Sequence, residues 1–95
     1  MSWTWDPEKS RANKRKHGLS FETAQLVFDD ALALSRPDPS DGEERWQTVG
    51  LIAGAAVLVI HTATEAINDE EAVGRIISAR KATTRERKAY EEGEF

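Results

Sequence analysis

Cysteine is absent from this 95-residue chain, which excludes disulfide bonds, thiolate nucleophiles and cysteine-ligated zinc sites. The two histidines, His17 and His61, lack the spacing of metal ligands, so no zinc site is predicted. The longest apolar run, residues 51–60, is only ten residues long and too short to span a bilayer. The first residues show no basic segment followed by an apolar one, so no secretory signal is predicted. We therefore expect a cytoplasmic protein.

A strong excess of positive charge is also missing. Thirteen Lys and Arg stand against 17 Asp and Glu, a formal net charge of −4, which argues against a simple polycationic nucleic-acid binder. The net charge hides an uneven distribution along the chain. Residues 1–18 carry five cations and two acids, residues 19–74 carry two cations and eleven acids, and residues 75–95 carry six cations and four acids. Both ends of the chain are basic, and the middle is strongly acidic.

The length predicts one domain, residues 1–95, with two thin layers around a single core. A hydrophobic content of 39% and a charged content of 32% lie in the range of globular proteins. No internal repeat or low-complexity segment interrupts the chain. We expect the whole chain to fold as a unit.

The first third of the sequence predicts a short strand followed by two helices. Trp3, Thr4 and Trp5 form an edge-strand stub. Asp6-Pro7 then begins a basic helix over residues 8–17, which Gly18 ends. Ser20 caps a second helix, whose apolar face recurs at helical spacing. The members of that face are Phe21, Ala24, Val27, Phe28 and Ala31.

The remainder predicts strands and a last helix. Strands are predicted at residues 31–35, 45–52, 56–62 and 73–79, with a loop at 36–42 that contains two prolines and a glycine. Thr83 and Glu86 form a capping box for a helix over 84–92. The order predicts an α+β fold, with a small twisted antiparallel sheet of about four strands and an N-terminal edge strand, flanked by two N-terminal helices and one C-terminal helix.

Cations at both ends of the last predicted strand are the first candidate for function. Strict alternation would place Arg75 and Lys81 on one face and Arg80 on the other. Guanidinium groups beside the helix start at Thr83 would make an anion site, with phosphate as its natural ligand. The alternative is that these cations pair with acids of the middle segment, such as Glu44, and composition does not decide between the two.

The histidines and the first helix carry further candidates. His61, on a central strand, has the chemistry of a general acid or base, although a lone histidine there is more often a core residue. Lys14, Lys16 and His17 belong to the densest basic patch, which would attract RNA or an acidic partner segment. His17 also suits the C-terminal end of its helix. The tryptophans could stack on bases, but at least two of the three are expected in the core.

Several short motifs are spread over nearly the whole chain. They are Trp5-Asp6-Pro7-Glu8-Lys9, Asn13, Lys16-His17-Gly18, Ser20-Phe21-Glu22, Gly42-Glu43-Glu44-Arg45-Trp46-Gln47, His61-Thr62, the run from Arg75 to Thr83, Glu86-Arg87 and Tyr90-Glu91. Together, in this order and at this spacing, they resemble the BrnT family of bacterial type II toxins, and this agreement is more specific than any single motif.

This resemblance implies a RelE-like ribonuclease fold and metal-free RNA cleavage that stops translation and growth, with no cofactor. It also implies a protein partner, a BrnA-type antitoxin with a ribbon-helix-helix part. Operator DNA would be bound only through that antitoxin, in a heterotetramer, and no membrane would be involved. For this chain, the implied catalytic residues are Arg80 as main phosphate clamp, Arg75 and Lys81 assisting, and His61 and Tyr90.

We expect Lys14, Lys16, His17 and Arg85 to bind RNA, the last near the mouth of the site. Lys16 and His17 match family positions, and whether they act in catalysis or orient the fold is open. One position departs from the family pattern. Where members commonly read His-Thr-x-Arg, this chain reads His61-Thr62-Ala63-Thr64. Losing a charged hydrogen bond of about 1.5–3 kcal/mol there would weaken catalysis by one to two decades if it acts in the transition state.

Two function classes follow from these observations. The first is an enzyme, a metal-independent endoribonuclease. The second is a non-catalytic interaction module that binds its antitoxin and supports repression of its own operon, and Thr64 and the acidic average favour it. Direct DNA binding by this chain is a weaker third, because no recognition-helix pattern accompanies the basic patch.

Overall fold

The computed structural model describes residues 2–39, 42, 44–62 and 72–95. Thr64, the position that departs from the family pattern, lies outside the described residues, as does the acidic segment that precedes Ala72. The elements in chain order are β1 (Ser2–Thr4), α1 (Pro7–His17), α2 (Phe21–Ala24), a 3₁₀ helix (Gln25–Asp29), β2 (Leu34–Pro37), β3 (Arg45–Ile52), β4 (Ala55–Thr62), β5 (Val73–Lys81) and α3 (Thr84–Glu92).

Capping residues set the helix boundaries where the sequence predicts them. The Asp6 carboxylate accepts the Glu8 N–H at 2.9 Å, and Gly18 ends α1 in the left-handed conformation at φ 75°. Thr83 and Glu86 form the predicted capping box at the start of α3. None of the helices among the described residues is long and apolar enough to cross a membrane.

The second helix is shorter than its apolar spacing predicts. Its α-helical part ends at Ala24, and a 3₁₀ helix continues only to Asp29. Asp30 is extended, and its carboxylate accepts the N–H groups of Leu32 and Leu51 at 2.9 and 2.8 Å. These side-chain bonds offer the backbone an alternative to the helix, so Ala31 lies outside it.

The sheet has five strands in the order β1-β5-β4-β3-β2. Strands β2 to β5 form the predicted antiparallel meander, but β1 pairs parallel to β5, from Ser2↔Val73 to Thr4↔Arg75. The sheet is therefore mixed, and the expectation of a purely antiparallel sheet is wrong. The architecture is α+β with three α-helices, as predicted.

The second strand begins later and ends later than predicted. It covers Leu34–Pro37, so Arg36 and Pro37 belong to the sheet and not to the loop. Because β2 is the edge strand, its proline costs no ladder hydrogen bond to a further strand. This shift brings Arg36 opposite Gln47 of β3.

Two apolar clusters lie on opposite faces of the sheet. On one face, helix α2 and the 3₁₀ helix pack on β4 and β5. On the other face, Tyr90 of α3 packs on Val49 and Leu58. The first cluster comprises Phe21, Ala24, Val27, Val57, Val59, Ile76 and Ala79.

A β-bulge in β5 changes which residues share a face. Ile60 pairs with Ser78, but His61 pairs with Ile76, so β5 has one extra residue at this point. As a result Ile76 and Ala79 both enter the first cluster. Arg75 and Arg80 flank this pair and, by alternation, both start from the face that α3 covers. The prediction that they lie on opposite faces is wrong, because strict alternation does not hold across a bulge.

Candidate functional site

Arg80 and Glu86 form the best-defined charged contact on the α3 face. The Arg80 Nη1 and Nη2 groups donate to the two Glu86 carboxylate oxygens at 2.7 and 3.0 Å. The same carboxylate accepts the Thr83 N–H at 2.8 Å. The bonds from Arg80 are the main reason that the pKa of Glu86 falls to about 2, so the pair is fully ionised at neutral pH.

Arg36 converges on the same carboxylate from the edge strand. Its Nη2 lies 3.9 Å from the second Glu86 oxygen, and its Nε donates to Gln47 Oε1 at 2.8 Å. The guanidinium also lies over the Phe95 ring, 4.0 Å from the ring centre. Sequence reasoning missed Arg36, because the two prolines that follow it, Pro37 and Pro39, are typical of a loop.

Arg80 retains N–H donors that can bind a second anion. Glu86 takes the end of the guanidinium through Nη1 and Nη2, and Nη1 also donates to the Lys81 carbonyl at 3.2 Å. An arginine has five N–H donors, so these three bonds leave the Nε–H and the second Nη2–H. Those two hydrogens form a fork of the kind that binds phosphate oxygens. The side chain is 36% exposed, so solvent and solutes can reach it.

The other two cations of β5 are placed differently. Arg75 is half-buried on the α3 face, and its backbone N–H donates to the Thr62 hydroxyl at 3.0 Å. Lys81 is exposed at the strand end and, by alternation from Ala79, starts from the opposite face. The structure therefore puts Arg75 and Arg80 on one face and separates Lys81 from them.

The basic helix α1 lies against the edge of β5. The buried Asn13 side chain donates to the Ala79 carbonyl at 2.9 Å and accepts the Ala79 N–H at 3.3 Å. In this way Asn13 satisfies both backbone groups of the residue before Arg80. Lys14 and Lys16 are exposed on this helix, His17 is half-buried at its end, and Arg85 is exposed at the start of α3.

His61 is a core residue with no exposed surface. Its ring makes edge contacts with Trp3 and Phe28, at centre distances of 5.0 and 5.1 Å. Nδ1 donates to the Thr62 carbonyl at 2.7 Å, because a carbonyl oxygen can only accept. Burial keeps the ring out of contact with solvent and lowers the pKa of His61. The ring is therefore neutral at neutral pH.

A directed chain of hydroxyl groups runs from His61 to the surface. Since Nδ1 holds the proton, Nε2 accepts from the Thr48 hydroxyl at 2.6 Å. Thr48 in turn accepts from the Ser35 hydroxyl at 2.7 Å. Thr48 is buried, whereas Ser35 is exposed on the edge strand. The Thr62 carbonyl fixes the tautomer of His61, and the hydroxyl chain holds the orientation of its ring.

Replacing Thr48 with valine tests this chain. Valine preserves the shape of the side chain but leaves Nε2 buried without a donor, so we expect a loss of about 1–3 kcal/mol in the free energy of unfolding. Urea unfolding measures it. Ser35→Ala is the matched control, because water can replace an exposed hydroxyl, and its expected loss is below about 1 kcal/mol. If both variants lose the same free energy of unfolding, the buried hydrogen bond to Nε2 stabilises the protein no more than the exposed one.

Tyr90 is buried beneath α3, and its hydroxyl is committed to an acid. The hydroxyl donates to Asp30 Oδ2 at 2.5 Å, a short charge-assisted bond. This bond, more than burial, raises the pKa of Tyr90 to about 12, and it also lowers the pKa of Asp30. At neutral pH Tyr90 therefore keeps its proton, and its hydroxyl joins α3 to the loop that precedes β2.

Comparison with known proteins identifies one family. The family model described as the ribonuclease toxin BrnT of type II toxin–antitoxin systems matches residues 5–86. The matched segment contains Arg36, Arg75, Arg80 and Glu86 and ends within α3. Among individually curated proteins, none gives a significant match to the chain.

Proposed function

Because the chain belongs to the BrnT family of ribonuclease toxins of type II toxin–antitoxin systems, we propose that it is a metal-independent endoribonuclease. Its cleavage of RNA in the cytoplasm would stop translation and growth. The observation that carries the proposal is the Arg80 guanidinium, which is held by Glu86 and still offers a donor fork to a phosphate. Arg36 adds a second positive charge at the same place.

The proposed reaction is an internal transfer at phosphorus. The RNA 2′-hydroxyl loses its proton and attacks the adjacent phosphate, the bond to the 5′-oxygen breaks, and that oxygen takes up a proton. The products are a 2′,3′-cyclic phosphate and a 5′-hydroxyl. Fixed cations lower the barrier by stabilising the charge that develops on the phosphoryl oxygens. We assign that role to Arg80, with Arg75 and Arg36 assisting from the same face. Lys81 starts from the opposite face at the exposed end of β5, so it would assist only by reaching around the strand end.

We assign proton transfer to His61 or Tyr90, on the condition that the side chain first breaks its present hydrogen bond. Each side chain is buried and hydrogen-bonded, His61 to Thr48 and Tyr90 to Asp30. Tyr90, on the α3 face, must leave Asp30 before it can reach a substrate. His61 packs against Trp3, Phe28 and Thr48 on the face opposite Arg80, so it must also pass from one face of the sheet to the other. In the conformation described, both hold neighbouring elements in place, and charge stabilisation by the arginines is the larger contribution.

The rest of the RNA is proposed to lie along the basic surface beside β5. Lys14 and Lys16 on α1 and Arg85 on α3 are exposed, and His17 is at the end of α1. Such contacts bind the phosphate backbone without reading its sequence. They would hold the scissile phosphate near Arg80, where α1 meets the edge of β5.

The protein partner is proposed to be a BrnA-type antitoxin with a ribbon-helix-helix part. Since ribbon-helix-helix domains fold as dimers, the complex would be a heterotetramer, and it would bind operator DNA through the antitoxin. The five-stranded mixed sheet with helices on both faces supports the proposal that the fold is RelE-like.

Thr64 is proposed to weaken the toxin. Replacing Thr64 with arginine should restore a phosphate contact and raise the cleavage rate by about one to two decades. Growth arrest after induction of the wild-type and Thr64→Arg genes, with rescue by the antitoxin, measures the effect in cells. Thr64→Lys is the control for charge without the guanidinium fork.

Equal growth arrest by all three proteins would show that position 64 is not a phosphate contact. No arrest by any of them, together with tight antitoxin binding, would favour the non-catalytic interaction module. The observation that favours this second function is that His61 and Tyr90, the candidates for proton transfer, are hydrogen-bonded to Thr48 and Asp30.

A further inference from the structure

A cleft on the face opposite Arg80 has the wrong charge for RNA. Its volume is about 590 Å³, and its lining contains two carboxylates and no lysine, arginine or histidine among the described residues. Phosphate groups would be repelled there. The lining residues are Ser2, Trp3, Gln25, Leu26, Phe28, Asp29, Asp30, Ala33, Ser35 and Thr48.

Aromatic and aliphatic side chains form part of the lining of this cleft. The rings of Trp3 and Phe28 are stacked, with their centres 3.9 Å apart. Leu26 is 46% exposed, and Leu32, just beyond the cleft, is 72% exposed. Exposed leucines beside aromatic rings are typical of a protein-binding surface.

The two acids differ in their availability to a ligand. Asp30 already accepts hydrogen bonds from Tyr90, Leu32 and Leu51. Asp29, the last residue of the 3₁₀ helix, is exposed. A cation that enters the cleft would therefore pair mainly with Asp29.

We propose that this cleft, lined by Trp3, Phe28, Leu26 and Asp29, binds a basic segment of the antitoxin through an arginine next to an apolar side chain. The guanidinium would pair with Asp29, and its stem and the apolar neighbour would pack on the rings and Leu26. Arginine suits this site because it combines a charge with a planar surface that stacks on aromatic rings. The inference rests on the proposed antitoxin partner and gives it a position on the sheet face away from Arg80.

Calorimetric titration of the purified chain with a purified BrnA-type antitoxin tests the proposal. We expect Asp29→Lys to weaken binding by about tenfold or more, because it places two like charges together. Adding Leu26→Lys should weaken it further. Glu92→Lys makes the same charge change on the exposed end of α3, and we expect it to bind within about twofold of the wild type.

RNA cleavage by the same variants separates this inference from the proposed function. Asp29→Lys should cleave RNA as the wild type does, which also shows that it folds. Unchanged antitoxin binding by Asp29→Lys and by the double variant would overturn the assignment of the cleft while leaving the enzyme proposal in place. If Asp29→Lys and the double variant lose RNA binding but still bind the antitoxin, the occupant of the cleft is RNA and the proposal that it binds the antitoxin is wrong. Failure of the wild-type chain to bind the antitoxin would overturn the partner and the cleft together, whatever the cleavage result.

Discussion

Replacing Arg80 with alanine is expected to lower the rate of RNA cleavage by about two to three decades. The variant loses the donor fork that faces solvent and the charge that would stabilise the phosphoryl oxygens. Arg80→Lys keeps the charge but not the planar fork, so its loss should be smaller, about one decade. Single-turnover cleavage of a labelled RNA measures both rates.

Alanine at position 80 also leaves Glu86 without its main partner, so folding must be measured beside activity. Arg87→Ala is the matched control, because Arg87 is an exposed arginine of α3 whose Nε donates to Glu91 at 3.1 Å. It should cleave within about twofold of the wild type. A folded Arg80→Ala variant with wild-type cleavage would remove Arg80 from the site.

Replacing Glu86 with glutamine is expected to cost about 2–3 kcal/mol of the free energy of unfolding at pH 7. The Glu86 side chain is 12% exposed, and its carboxylate accepts both Arg80 bonds. Glutamine can still serve as the third residue of the capping box, so α3 should begin at the same residue. The loss therefore reports mainly on the ion pair.

The pH dependence gives this prediction a second readout. The pKa of Glu86 falls from 4.5 to about 2 on folding, so its stabilisation is complete above pH 4.5 and is lost as the pH falls toward 2. Wild type and Glu86→Gln should differ most at pH 7 and converge near pH 2. A difference that stays constant from pH 7 to pH 2 would show that the ionised pair contributes nothing.

Local signals in the sequence located most of the elements of this fold. The capping box at Thr83 and Glu86 gives α3 its predicted bounds, and β3 covers the predicted residues 45–52. Both depend on residues that are neighbours in sequence. The parallel pairing of β1 with β5 could not be predicted, since three residues of strand carry no information about direction.

The candidate site was only partly predictable, because tertiary contacts decide it. A bulge between Ile76 and Ser78 brings Arg75 to the face of Arg80, and no residue type marks such a bulge in advance. Arg36 enters the site because an edge strand tolerates Pro37. The sequence leaves His61 as either a core residue or a general acid or base. Its core position depends on contacts such as that with Trp3, which is far away in sequence.

Cleavage of RNA by the purified chain in EDTA tests the central claim most directly. The chain is separated from its antitoxin and incubated with end-labelled RNA and with the same RNA carrying 2′-deoxy substitutions. We expect products with a 2′,3′-cyclic phosphate and a 5′-hydroxyl, none from the deoxy substrate, and faster cleavage by Thr64→Arg. Intact RNA after incubation with both the wild type and Thr64→Arg, or cleavage only after a divalent metal is added, would contradict a metal-independent ribonuclease.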